Sequence, residues 1–296
     1  MKFHPVKLKF GLLCTILVAM GCFLEGGYAF GVGGHGTSMP FEGKEAADTN
    51  ASTMGYLTST QALADYATII VDLKKTLKAE KCPVVVFGAS YGGMLTAWFR
   101  LKYPHLSIGA LASSAPILNL DDIAPTYSFG SIITKDFRMC NAINSLPGEA
   151  DTVSRIAAVA NYMSQNQCTD GFGRLTNLTA TPNPRYCTEM MFPISNPPGT
   201  MIRPSSFDFK SYSRECYHRY GVLLRQHWLT TDFGVNEMKT ALMDFGSNII
   251  FSNGLRDPWS SGGVLANISE SIVAINTEEG ESLQNAFFSA LTIKQK

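Results

Sequence analysis

The chain has 296 residues, of which 45% are hydrophobic and 16% charged. Its 24 basic and 24 acidic side chains balance to a formal charge of zero, so the composition carries neither a nucleic-acid footprint nor the mark of a polyacidic partner. This length allows one or two domains, and 11% aromatic residues argue against long disorder.

The first residues carry a targeting pattern. Lys2, Lys7 and Lys9 precede an apolar run over 10–24, followed by Gly26-Gly27-Tyr28-Ala29. Positive, apolar and small-residue regions in that order describe a secretory signal peptide over 1–29, which is set apart from the fold. A signal anchor is the alternative, but the run is short and poorly flanked for stable membrane insertion. Three N-x-S/T sequons, at Asn50, Asn177 and Asn267, agree as a group with glycosylation in the secretory pathway. Setting aside Cys14 and Cys22 with the signal leaves Cys82, Cys140, Cys168, Cys187 and Cys216. In an oxidising compartment this odd set implies an unpaired thiol, and Cys82 is the predicted free, buried one. Cys187 with Cys216 is a sensible pair, although sequence leaves the connectivity open. No Cys/His cluster has zinc spacing, and neither metal nor cofactor is expected.

Residues 30–59 read as a glycine-rich loop. Thr58 with Gln61 forms a capping box, and Ala62, Leu63, Tyr66, Ile69, Ile70, Leu73 and Leu77 recur at helical spacing. Lys74, Lys75 and Lys78 suit that helix's C-terminus. Val84-Val85-Val86-Phe87 then predicts a buried parallel strand. It runs into G-x-S-x-G at Gly88-Ala89-Ser90-Tyr91-Gly92, and residues 95–103 read as a helix. Strand, tight glycine turn with serine at its apex, and helix make the nucleophile elbow of an α/β-hydrolase. Glycines flank the serine because a Cβ there would collide with the neighbouring strand and helix. The plainer alternative is a serine that merely caps the helix. A strand follows over 108–112. From 120 to 242, helical pieces (127–137, 151–162) alternate with loops rich in Pro, Gly and Asn, which reads as an inserted helical cap. Strands return over 248–252 and 272–275. The predicted fold is α/β: an α/β-hydrolase with an incomplete parallel sheet over 30–118 and 245–296, and a shortened cap over 119–244.

A serine hydroxyl is a weak nucleophile until a base takes its proton. In this fold the partners follow in the order serine, acid, histidine. Ser90 is the nucleophile candidate. Asp257 is the acid candidate, because it follows a strand and the turn Asn253-Gly254; an Asp-Pro turn of no catalytic meaning is the alternative. The amide of Tyr91 is the expected oxyanion donor, with Gly36-Thr37-Ser38 a weak second source. The base should follow the last strand, yet no histidine lies beyond His227. His4, His35, His105, His218 and His227 all sit where an ordinary surface or hydrogen-bonded role suits them better.

Three stretches carry a resemblance: Leu57-Thr58-Ser59-Thr60-Gln61-Ala62-Leu63-Ala64-Asp65-Tyr66, the block from Gly88-Ala89-Ser90-Tyr91-Gly92-Gly93-Met94 to Tyr103-Pro104-His105, and Asp257-Pro258-Trp259-Ser260-Ser261-Gly262-Gly263. Together they resemble the prolyl carboxypeptidase and dipeptidyl-peptidase II family of serine exopeptidases, and the wording is similar to that of plant lysosomal Pro-X carboxypeptidase-like proteins. The resemblance implies a peptide partner with proline at the cleaved bond, Ser90 and Asp257 in catalysis, and a proline pocket near Met94 and Trp259. It also implies a lysosomal, vacuolar or extracellular location, and it admits a homodimer. The chain departs from the family pattern in two places. The H-R-Y-Y-G segment survives only as Gly36-Thr37-Ser38-Met39-Pro40-Phe41, and the G-A-H-H that supplies the base is matched by Glu279-Gly280-Glu281-Ser282-Leu283. A homologue without catalysis is therefore a second reading. A lipase or esterase is a third, disfavoured by the lack of an H-G-G-G run.

Overall fold

The computed structural model describes residues 16–19, 51–54, 58–120, 124–125, 187–189, 193, 195, 206–234, 238–255 and 257–278. Within them, β1 (Ile16–Ala19), β2 (Val84–Ala89), β3 (Gly109–Ser113), β4 (Ile249–Gly254) and β5 (Ile272–Thr277) form one sheet in chain order, with every pairing parallel. The helices are α1 (Ala51–Met54), α2 (Ser59–Thr76), α3 (Tyr91–Lys102), α4 (Phe209–Tyr220), α5 (Trp228–Gly234) and α6 (Met238–Phe245). A parallel sheet with helical crossovers is the α/β-hydrolase arrangement expected from the sequence.

α2 begins where the capping pattern places it. Thr58 is the N-cap and accepts from the Gln61 amide at 3.2 Å. The Gln61 side chain does not complete the box; it donates to Asp65 at 3.0 Å. Ala62, Leu63, Tyr66 and Ile70 are buried, whereas Leu77 is the C-cap and 58% exposed, so the apolar stripe ends one turn earlier than its spacing suggested.

α3 is apolar on nearly all sides and is buried from Gly92 to Arg100, as a helix enclosed by the core must be. Trp98 stacks on Phe233 with ring centroids 4.4 Å apart. The Arg100 guanidinium donates to the Pro104 carbonyl at 3.1 Å and to Ser247 Oγ at 2.8 Å, which fastens the end of α3 to the entry of β4. α5 and α6, read from sequence within the cap, contribute Leu229, Phe233, Met238 and Leu242 to the same core as Trp98. The boundary expected after residue 244 falls inside α6.

Ile16–Ala19, inside the predicted signal peptide, pairs with β2 in the register Ile16↔Val84 to Ala19↔Phe87. An apolar run suits a signal core and an inner strand equally, so composition does not separate them. Cys82 is neither free nor fully buried; it is disulfide-bonded, to a cysteine outside the described residues. The helical pieces at 127–137 and 151–162, the Gly36-Thr37-Ser38 loop, Asn50, Asn177 and the segment at 279–283 also lie outside the described residues. Among the described residues no helix is long and apolar enough to cross a membrane.

Candidate active site

β2 delivers Ser90 at its C-terminal end. The serine has φ 57° and ψ −125°, a conformation that costs a side-chain-bearing residue about 1–3 kcal/mol. Its backbone is fixed on both sides: its amide donates to the Ser113 carbonyl at 2.9 Å, and its carbonyl accepts from the Met94 amide at 3.0 Å. Ser90 makes no side-chain capping bond to α3, so the reading as a helix cap fails. The turn aims the hydroxyl instead of using it. Tyr91 opens α3, so its amide lies at the positive end of the helix dipole, where negative charge is favoured.

The close approach behind the elbow falls at Gly93. A Cβ there would lie 2.8 Å from the Ser113 carbonyl oxygen and 2.9 Å from Ala115 Cβ. Only glycine lets α3 sit this near the end of β3.

Asp257 follows β4 and is 6% exposed. It N-caps the short 3-10 helix Pro258–Gly262 and accepts from the Trp259 amide at 3.0 Å. Burial pushes its carboxyl above the usual range, while the Trp259 amide and the nearby Ser114 hydroxyl pull it back. That hydroxyl is buried beside the acid. Ser114 has φ 42° and donates its amide to the Ser252 carbonyl at 2.7 Å, so the ends of β3 and β4 are locked beside the acid. Both glycines at the end of the 3-10 helix are explained by contact. A Cβ on Gly262 would lie 2.4 Å from Asn119 Cβ, and one on Gly263 would lie 2.7 Å from Asn253 Oδ1. Asn253 is buried and donates to Val264 O at 2.9 Å and to Asn276 Oδ1 at 3.2 Å, which ties the acid turn to β5.

Ser90 and Asp257 thus share the C-terminal edge of the sheet, with β3 between their strands. Two strand spacings are about 10 Å, too far for a direct hydroxyl–carboxylate bond and wide enough for an imidazole. The described histidines do not fill that interval. His105 lies beyond the far end of α3, a 12-residue helix and so about 18 Å long. His218 and His227 are exposed, on α4 and just before α5. Of the expected proline-pocket residues, Trp259 is half-buried on the 3-10 helix, while Met94 is wholly buried in the core one turn into α3.

The structure joins Cys187 to Cys216 with an S–S distance of 2.04 Å. Asn267 is exposed, and its side-chain oxygen accepts from the Ala274 amide at 2.9 Å.

Comparison with known proteins gives the family. The model for serine carboxypeptidase S28 matches residues 34–144. Mouse lysosomal Pro-X carboxypeptidase is 32% identical, over 89% of this chain and 70% of that protein. The chain belongs to the serine carboxypeptidase S28 family. The human lysosomal Pro-X carboxypeptidase is 30% identical over 89% of the chain and 69% of its own length. Both alignments run to 354 positions, more than this chain possesses, so these S28 relatives carry residues with no counterpart here. Among solved structures, the Mycobacterium smegmatis proline iminopeptidase overlaps loosely, at 12% identity and a TM-score of 0.35 over 81% of this chain and 70% of that one.

Sequence reasoning missed three residues. Ser114 follows the strand predicted over 108–112, where a hydroxyl at a strand end next to the elbow was the available signal. Asn253 was read only as turn chemistry. Glu189 carried no local signal. It is 5% exposed, and both of its oxygens receive hydrogen bonds from Ser59, the first residue of α2: one from the amide, the other from the hydroxyl at 3.1 Å.

Proposed function

We propose that this chain is a proline-directed serine exopeptidase of the carboxypeptidase type. Ser90 Oγ attacks the carbonyl of a prolyl residue, the amine leaves, and water then releases the prolyl acyl group from the serine. The Tyr91 amide would face the developing oxyanion, and Asp257 would orient a base that takes the Ser90 proton and passes it to the leaving amine, a base that none of the described histidines supplies. Trp259 forms a wall for the proline ring, with Met94 as packing beneath it; apolar and aromatic surfaces hold a ring that offers no N–H. The observation that carries this reading is the strained Ser90 elbow, its side chain unused by the helix and its strand one removed from that of a buried aspartate. The names of the S28 relatives support a peptide cleaved after proline and an acidic, lysosomal or secretory location. The signal peptide and the glycan at Asn267 belong to the same reading.

A second reading is a family member that binds without turnover. It is favoured by one observation: among the described residues, no histidine stands between Ser90 and Asp257. A fluorophosphonate probe separates the two. Stoichiometric labelling that Ser90→Ala abolishes supports the peptidase. Folded protein that stays unlabelled, with or without added imidazole, overturns it.

A further inference from the structure

Glu189 lies at a junction of several elements. Ser59 supplies two donors from the first turn of α2. α5 supplies Asp232, whose negative charge acts on Glu189, and the Trp228 side chain, a hydrogen-bond donor. Asp232 is paired in turn with Lys102 of α3 at 3.8 Å. Two residues before Glu189, Cys187 is bonded to Cys216 of α4, and both cysteines are fully buried with Met54 of α1. One carboxyl therefore joins α2 to a segment 130 residues away that carries a covalent link to α4.

We propose that Glu189 is a proton-operated latch fastening the Cys187 segment to the first turn of α2, closed when the carboxyl is protonated and loosened when it is charged. A helix N-terminus welcomes a carboxylate. Here two terms oppose that preference: the oxygens are out of water, and Asp232 adds a like charge whose only described counter-ion is Lys102. Burial is the larger of these and, with Asp232, pushes Glu189 up to about 7 from 4.5. The direction of linkage follows. The closed segment keeps a proton that the open one releases between those values. Closure is therefore favoured below 4.5 and loses that advantage as pH rises to about 7. An enzyme working in an acidic compartment would be held shut there and eased at neutral pH.

Hydrogen exchange on the full-length protein, from pH 4.5 to 8 and corrected for intrinsic rates, tests the latch. In the wild type, protection of the amides at the start of α2 and of residues 187–189 falls at least about tenfold as pH rises across the window, and protection of β2 to β4 does not. Glu189→Gln, which keeps an acceptor and a neutral side chain, holds the acid level of protection to pH 8. Asp232→Asn leaves Glu189 in place and moves the fall to lower pH. A Glu189→Gln protein with the wild-type slope, or an Asp232→Asn protein with an unmoved midpoint, overturns the proposal.

Discussion

The turn after β4 and the segment at 187–189 each bury a carboxyl group, and the contrast between them separates the proposed catalytic acid from a structural one. Asp257 and Glu189 are nearly equally buried, and each accepts a backbone amide at a helix N-terminus. Burial raises both. They differ in what lies beyond that amide. Both oxygens of Glu189 are taken up by Ser59, so its bonding serves the fold. Asp257 caps only a short 3-10 helix beside the end of β3, after the strand two places from that of Ser90. Saturated partners mark Glu189 as an anchor, whereas Asp257 is the proposed acid by its place at the strand ends.

The largest effect that would break this contrast is on reactivity. Asp257→Asn lowers the rate of Ser90 labelling by a fluorophosphonate roughly 10³-fold, with thermal stability little changed. Glu189→Gln leaves that rate within about twofold. Equal effects from the two variants would erase the distinction. Next comes the covalent support of the anchor. Cys216→Ser opens a link spanning 29 residues and costs about 3 kcal/mol in urea unfolding. A smaller effect tests the acid's support: Gly263→Ala forces a Cβ toward Asn253 and costs about 1–3 kcal/mol, with labelling slowed in step. The smallest separates the two caps of α2. Thr58→Ala removes the local one for about 1 kcal/mol by thermal unfolding, without altering the pH dependence set by Glu189.

How legible each region was follows from the distance over which its physics acts. The elbow and the acid turn are local: strand, turn and helix lie within about twenty residues at Ser90, and strand, turn and cap within about fifteen at Asp257. Apolar alternation, glycine placement and capping chemistry are therefore all visible in the sequence. Glu189 acts on Ser59 across 130 residues, and no spacing rule reaches that far. Cys82 was misread because its place at the start of the elbow strand says nothing of a bonding partner elsewhere in the chain. The β1 segment was missed for a related reason, since an apolar run serves a leader and a strand alike. α5 and α6 fell within the predicted cap because a cap helix and a core helix show the same periodicity. Their place in the core that holds Trp98 tells them apart.

The pairing of Ile16–Ala19 with β2 ties biosynthesis to solubility. A chain cut after residue 29 keeps Ser90 and Asp257 but loses that neighbour. Among the described residues, the strand bearing the nucleophile then becomes the rim of the sheet, with a row of unanswered amides and carbonyls. Cleaved and uncleaved forms would thus differ in which strand forms that rim: β2 in one, the four-residue β1 in the other.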